Sequence, residues 1–355
     1  MPSETSDTYE GEMEQTLPQH SASSRPRDTR VKVLYIMGAP RCGSTVLDNI
    51  LNEIDGFFSA GELRFLWQRL HQERFCGCGK AFGDCEVWSR VLEGLAGDGV
   101  DLSASKLMSR QKAISGTWRT WQLLHQIRKG DVSPEIQAHG QLTSTLYQKI
   151  RAVTGARVIV DSSKRPWDAA LLGSLTDVSP FFIHFIRDPR AMAFSQSKVK
   201  ANPDRGQPGV MAPTAISSSA LQWIRRNLSA DAVRRAHPDD RSMVIGYQEF
   251  CSKPRDIVEE ITALVGEAES KLPFSDDHTV NLGGNHTVSG NPDRYRRGPV
   301  PIREDNRWKD QMPGRDKTIV SLMTVPLMHH YSRVIQRTDT GSDRRSPTAA
   351  RGESL

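Results

Sequence analysis

The chain has no apolar run approaching the roughly 20 residues needed to span a bilayer. It also has no basic, then apolar, then small-residue leader of the kind that marks secretion. A cytoplasmic chain with no stable membrane insertion is therefore expected. Cysteine is scarce, five in 355 residues. An odd count without two CxxC pairs does not make a disulfide framework or an ordinary zinc module. Three of the five cluster as Cys76, Cys78 and Cys85. They admit three readings: reduced thiols in a structural loop, a disulfide, or a metal site that His71 would have to complete. Aromatics make up 7% of the chain and no arginine–lysine stripe interleaves with them, so no nucleic-acid partner is expected. No internal repeat is visible.

The formal net charge is +5, while the first thirty residues hold six acids and three bases. The remainder is therefore more basic than the whole. That suits a polyanionic small ligand, although ordinary surface solubility explains it equally well. Both ends are polar and aperiodic, and 1–30 and 337–355 read as disordered tails. The 37% hydrophobic content is ordinary for a globular chain. One domain over 31–336 is expected, with a helical insertion over about 102–153.

What is present is concentrated in Val31 to Leu51, VKVLYIMGAPRCGSTVLDNIL. An apolar strand pattern leads into a Gly-bounded turn and then a helical pattern. That order builds an anion cradle from turn amides and a helix N-terminus. Arg41 adds charge, and Ser44 and Thr45 add hydroxyls. Gly38 and Gly43 have the spacing of a nucleotide-triphosphatase loop, but Ser44 occupies the slot of its lysine. The missing lysine argues for a ligand with a 5′-phosphate and no γ-phosphate.

Pro40-Arg41-Cys42-Gly43-Ser44-Thr45 resembles the 5′-phosphosulfate loop of PAPS-dependent sulfotransferases, P-[RK]-[SC]-G-[ST]-[ST]. The chain is similar to the tyrosylprotein, carbohydrate and bacterial branch of that family. The resemblance implies that Arg41, Cys42, Gly43, Ser44 and Thr45 hold the cofactor, with Cys42 packing and not acting as a nucleophile. Gly61-Glu62 lies where that branch carries its catalytic base, although a carboxylate there is also a natural helix cap. Arg157–Asp161 reads as a strand leading into Ser162-Ser163-Lys164-Arg165-Pro166, and Lys164 corresponds to the family lysine that reaches the transferring sulfate. Arg187 and Ser195 keep the spacing of the 3′-phosphate element, at the end of the apolar strand Pro180–Ile186. The segment Arg296-Arg297-Gly298, with Trp308 beyond it, resembles the late cofactor loop and implicates Arg297 and Gly298, with Arg294 and Arg303 in reserve. His286 is a second candidate base or acceptor ligand.

Elsewhere, Leu102–Arg128 and Ile136–Val153 read as two helices, the first with a Trp118, Trp121, Leu124 stripe expected in the core. His184 reads as a core histidine. Lys200–Ser219 reads as a cover or a disordered loop. The resemblance implies an α/β domain of three layers with a mostly parallel sheet, the P-loop-like sulfotransferase fold. Val31–Met37, Arg157–Asp161, Pro180–Ile186 and Met243–Tyr247 are its expected central strands. It implies sulfuryl transfer from PAPS, leaving PAP, to a hydroxyl or amine of a small-molecule, glycan or lipid acceptor, with no metal required. A P-loop kinase and a catalytically silent PAP-binding protein are the alternatives.

Overall fold

A computed structural model describes residues 29–198, 200–202, 209–211 and 213–339. The tail readings fall outside these residues at 1–28 and 340–355, and the cover reading does so at 203–208 and 212. In chain order, β1 (Val31–Gly38) leads to α1 (Ser44–Asn52), β2 (Phe57–Gly61), α2 (Leu66–His71) and α3 (Glu86–Gly97). Three helices follow: α4 (Ala104–Ile114), α5 (Arg119–Lys129) and α6 (Pro134–Thr154). Next come β3 (Val158–Lys164), α7 (Pro166–Leu172), β4 (Val178–Ile186) and α8 (Pro189–Ser197). A short antiparallel ribbon, β5 (Lys200–Asn202) and β6 (Gly209–Met211), precedes α9 (Ile216–Arg235). β7 (Ser242–Gly246), α10 (Tyr247–Ser252) and α11 (Pro254–Leu264) complete the layers. The chain closes with a β8 (Thr279–Leu282) and β9 (Gly298–Pro301) ribbon, α12 (Arg307–Gln311) and α13 (Gly314–Asp339).

The central sheet has the order β2-β3-β1-β4-β7, and every neighbouring pair is parallel. Its two faces follow from the period-2 side-chain alternation of a strand. Val31, Val33, Tyr35 and Met37 enter a core shared with Trp88 of α3, Tyr147 of α6 and Trp167 of α7. Leu34 and Ile36 enter the opposite core, with Leu47 and Ile50 of α1 and Ile257 and Ile261 of α11. Burying each such aliphatic side chain contributes about 1.5–3 kcal/mol. The architecture is thus α/β in three layers. No helix among the described residues is long and apolar enough to cross a membrane.

Two sequence readings need correction. The helix expected over 102–128 is two helices, interrupted around Gly116. Trp118 and Trp121 are 68% and 52% exposed, so their stripe is not core; Thr120 and Leu123 are the buried positions of α5. Arg225 stacks over the Trp118 ring at 4.9 Å. The long helix α13 carries Pro326 in its interior, which hid it from a periodicity reading. His184 is a core residue as expected. Its Nε2 lies 2.9 Å from Asn227 Oδ1, and burial pushes its imidazole down to about 4.

Candidate active site

The turn after β1 has the backbone of an anion cradle. Arg41 (φ 64°) and Gly43 (φ 108°) both lie in left-handed conformations. A Cβ at Gly43 would fall 2.9 Å from the Tyr247 ring, so the turn packs too closely for any larger residue. No side chain caps the start of α1, and its first-turn amides face the loop without a side-chain acceptor. Cys42 is buried against the second core, and burial pushes its thiol upward, which suits packing and not nucleophilic attack.

The carboxyl ends of four adjacent strands each deliver one functional group. Across the sheet these are Glu62 after β2, Lys164 at the end of β3, the Arg41–Thr45 loop after β1, and Arg187 after β4. In open α/β sheets this edge is where ligands bind.

Glu62 and Lys164 meet at its centre. Lys164 Nζ donates to Glu62 Oε1 at 2.7 Å, to Ser162 O at 3.0 Å and to Ser44 Oγ at 3.2 Å. All three ammonium donors are thereby used. The two side chains are 11% and 17% exposed. Lys164 itself sits at φ 64°, one of three non-glycine residues with positive φ among the described residues. Such strain persists only where the surroundings impose it. Glu62 precedes a 3-10 turn, Leu63–Phe65, but its side chain makes no capping bond. The cap reading therefore fails and the ion pair takes its place. Burial alone would raise the Glu62 carboxyl; Lys164, with Arg64 and Arg69, holds it below the usual carboxylate range. The lysine missing from the loop sequence is thus matched in space by an ammonium from another strand, bonded to the residue in that slot.

Arg187 is laid over the Tyr247 ring at 4.1 Å and donates to Arg41 O at 3.0 Å. Asp305 accepts from it through its backbone oxygen at 3.3 Å. Its Nε is buried without a hydrogen-bond partner. Ser195 is buried in α8, and Trp308 of α12 packs in the cluster containing that helix. The late loop places its residues as follows. Arg297 is exposed and donates to the carbonyls of Arg294, Arg296 and Gly77, none of them in the Arg41–Thr45 loop. Gly298 opens β9 opposite Leu282. Asn291 is the residue that reaches the loop: its Oδ1 accepts from Arg41 at 2.5 Å and its N–H donates to Thr45 Oγ1 at 3.3 Å. His286 lies among the cysteines, with Nδ1 3.2 Å from Cys85 Sγ.

Two contributors escaped the sequence reading. Asn291 was visible only as part of a Gly-Asn-Pro turn. Asp48 lies beneath the loop on α1, accepting from the hydroxyls of Ser59 and, at 2.6 Å, Ser162. Burial pushes its carboxyl up to about 7 against the effect of those hydroxyls. An acid among the apolar positions of α1 was the available signal.

Residues 34–270 match the model of a family described as the sulfotransferase family. No curated protein matches the chain. Among solved structures, the sulfotransferase domain of the Synechococcus PCC 7002 olefin synthase is 17% identical, with 86% of this chain and 97% of that one covered and a TM-score of 0.47. The sulfotransferase domain from the curacin biosynthetic pathway is 15% identical, with 84% and 97% covered and a TM-score of 0.43. Sulfotransferase STF9 from Mycobacterium avium is 15% identical, with 67% and 64% covered and a TM-score of 0.38.

Proposed function

Because the chain belongs to the sulfotransferase family, we propose that it moves a sulfuryl group from PAPS to a hydroxyl or amine of a small-molecule, glycan or lipid acceptor. The observation that carries this reading is the order of groups across the sheet edge: base, ammonium, phosphate loop, arginine. It matches the order of needs along a transfer from a 3′,5′-bisphosphorylated donor.

The residues fit that donor. The uncapped start of α1 and the Gly43 turn suit a 5′-phosphate. The buried, unpartnered Nε of Arg187 suits a second phosphate, with Ser195 nearby on α8. Bound PAPS supplies an activated sulfuryl group on a phosphate leaving group. Glu62, ionised at neutral pH, accepts the acceptor's proton as the new S–O bond forms. Lys164 stands between Glu62 and Ser44, where its charge offsets negative charge growing on the departing phosphate oxygen. Asn291 and Arg187 hold Arg41 from two sides and keep the loop in register.

The acceptor side lies on the face of α2, α6 and α7. A cleft of about 50 Å³ there is lined by Leu63, Trp67, Leu142 and Leu146, with His139 and Asp168 as polar points. Leu63 and Ser163, which follow Glu62 and precede Lys164, both border it.

Calorimetric titration with PAP, AMP and ADP in EDTA tests the donor site. PAP should bind more tightly than AMP, and Arg187→Ala should erase most of that margin, about 10–100-fold for a charge-assisted contact. Glu62→Gln should keep PAP binding and lose transfer of labelled sulfate by roughly 100-fold or more. Equal binding of PAP and AMP overturns the reading, and binding only of ATP in a parallel titration with Mg²⁺ in place of EDTA overturns it in favour of a kinase. PAP binding with no transfer to any acceptor, unchanged by Glu62→Gln, favours a silent PAP-binding protein.

A further inference from the structure

Cys76, Cys78 and Cys85 lie on the loop between α2 and α3. His286 comes from a segment 210 residues beyond Cys76, yet the four ligand atoms lie within 4.8 Å of one another. His286 Nδ1 is 3.2 Å from Cys85 Sγ and 3.9 Å from Cys76 Sγ. His71, the histidine adjacent to the loop in sequence, is exposed and is not one of the four. Tetrahedral zinc with Zn–S bonds of about 2.3 Å sets its sulfurs about 3.8 Å apart. The cluster is therefore already near the dimensions of a metal shell.

We propose that Cys76, Cys78, Cys85 and His286 form a closed, structural site for a soft tetrahedral divalent cation of the zinc class. Three thiolates and one imidazole select such a metal over magnesium or calcium. Four protein ligands leave no open position, so the metal organises structure and does no chemistry. A disulfide would use two of the sulfurs and leave the third beside the imidazole with no role.

The surroundings are shaped to hold the four ligands. A Cβ on Gly77 would collide with the Asn285 side chain and come within 2.7 Å of Thr287 Oγ1, so only glycine lets the cysteine loop approach the histidine segment. Gly77 N donates to Thr287 O at 3.0 Å, and Trp88 Nε1 donates to His286 O at 2.6 Å, which fixes the histidine backbone. Three thiolates, a neutral imidazole and a divalent cation leave one net negative charge. Two guanidiniums flank it: the fully buried Arg294 donates to Phe75 O and Thr287 O, and Arg297 donates to Gly77 O.

The metal would act as a staple. The segment it anchors continues through Val288, whose N–H donates to Ala60 O, and Ser289, whose carbonyl accepts from Glu62 N–H at 3.0 Å. It then reaches Asn291 and Arg41. Occupancy of the shell requires no sulfuryl transfer, so its test stands apart from that of the proposed function.

The full chain, purified without added metal, is assayed by elemental analysis, and about one zinc per chain is expected. Cobalt(II) exchanged into the wild-type chain should give thiolate-to-metal charge-transfer absorption and the intense visible bands of a tetrahedral site. Cys85→Ser and His286→Ala should each abolish both signals, while Cys251→Ser, remote from the cluster, keeps them. If those variants do not fold, the wild-type cobalt spectrum and a fall in melting temperature on chelation decide instead. A metal-free chain whose melting is indifferent to chelator overturns the proposal. So does a disulfide mapped between any two of the three loop cysteines, or full zinc retention by Cys85→Ser.

Discussion

Replacing Lys164 with methionine isolates the ion pair at the centre of the site. Methionine keeps the length and the strained backbone position, so the left-handed φ costs the same in both chains. What changes is Glu62, whose side chain is only 17% exposed and would lose its ammonium partner at 2.7 Å. Breaking a buried pair from one side costs about 3–5 kcal/mol. Arg64 and Arg69 also favour the carboxylate, which puts the expected cost at the lower end. With a melting entropy of about 2.1 cal/mol/K per residue over roughly 300 residues, about 3 kcal/mol lowers the melting temperature by about 5 °C. Glu62→Gln alone should cost less, because Lys164 keeps Ser44 and the Ser162 carbonyl. The double variant should be more stable than the sum of the single costs implies. The pH dependence has a definite sign. The folded carboxyl is held below its unfolded value. The stability it provides is present above the unfolded value and lost as pH falls through the folded one. The gap between wild type and Lys164→Met should therefore be widest near neutrality and close on acidification. Thermal melts of the four chains across that range make the measurement. Additive single costs, or a gap independent of pH, would refute the pairing.

Other perturbations probe the support beneath the loop. Asp48, pushed up to about 7, stabilises the fold in its protonated form, and that contribution is lost as pH rises from the unfolded carboxylate value to about 7. Asp48→Asn mimics the protonated state, so its melting temperature relative to wild type should climb over that interval and then level off. Gly43→Ala should force the Tyr247 ring aside and with it the stacked Arg187, weakening PAP more than AMP in the same calorimetric series.

Much of the sheet was legible because buried parallel strands write themselves as short apolar runs. Val31–Gly38 and Val178–Ile186 are of this kind, and their Gly-rich or Pro-bearing exits mark the helix starts. The edge strand Phe57–Gly61 is a weaker signal, five residues whose Ser-Ala-Gly end also suits a turn. The outward tryptophans of α5 misled because apolar residues at helical spacing normally mark a buried face. Here that face carries Trp118 and Trp121 into solvent, and the core takes Thr120 and Leu123. The parts of the candidate site that are local in sequence could be placed at strand ends from the sequence: the loop, Gly61-Glu62 and Ser163-Lys164. What could not be read was which distant groups meet. The Glu62–Lys164 bond spans 102 positions, and the pairing of His286 with Cys85 spans 201. No periodicity carries that information, because it is set by strand order and by where a late segment is laid down.

That late segment has a consequence for how the protein is made. The five-stranded sheet is complete in sequence by Gly246, and the family match ends at residue 270. Asn291, which grips Arg41 from 250 positions away, has not yet been synthesised at that point. The Arg41–Thr45 loop therefore gains its clamp only when this late segment, which also supplies Val280, Leu282, Val300 and Ile302 to the core, is laid down. Closing so long a loop is slow, since its entropy must be lost before the contact forms. The Arg41 clamp should thus form late in folding, together with the part of the core that the same segment supplies. Asn291→Ala in the full chain, which removes the clamp and leaves the buried late segment in place, should melt close to wild type yet bind PAP weakly.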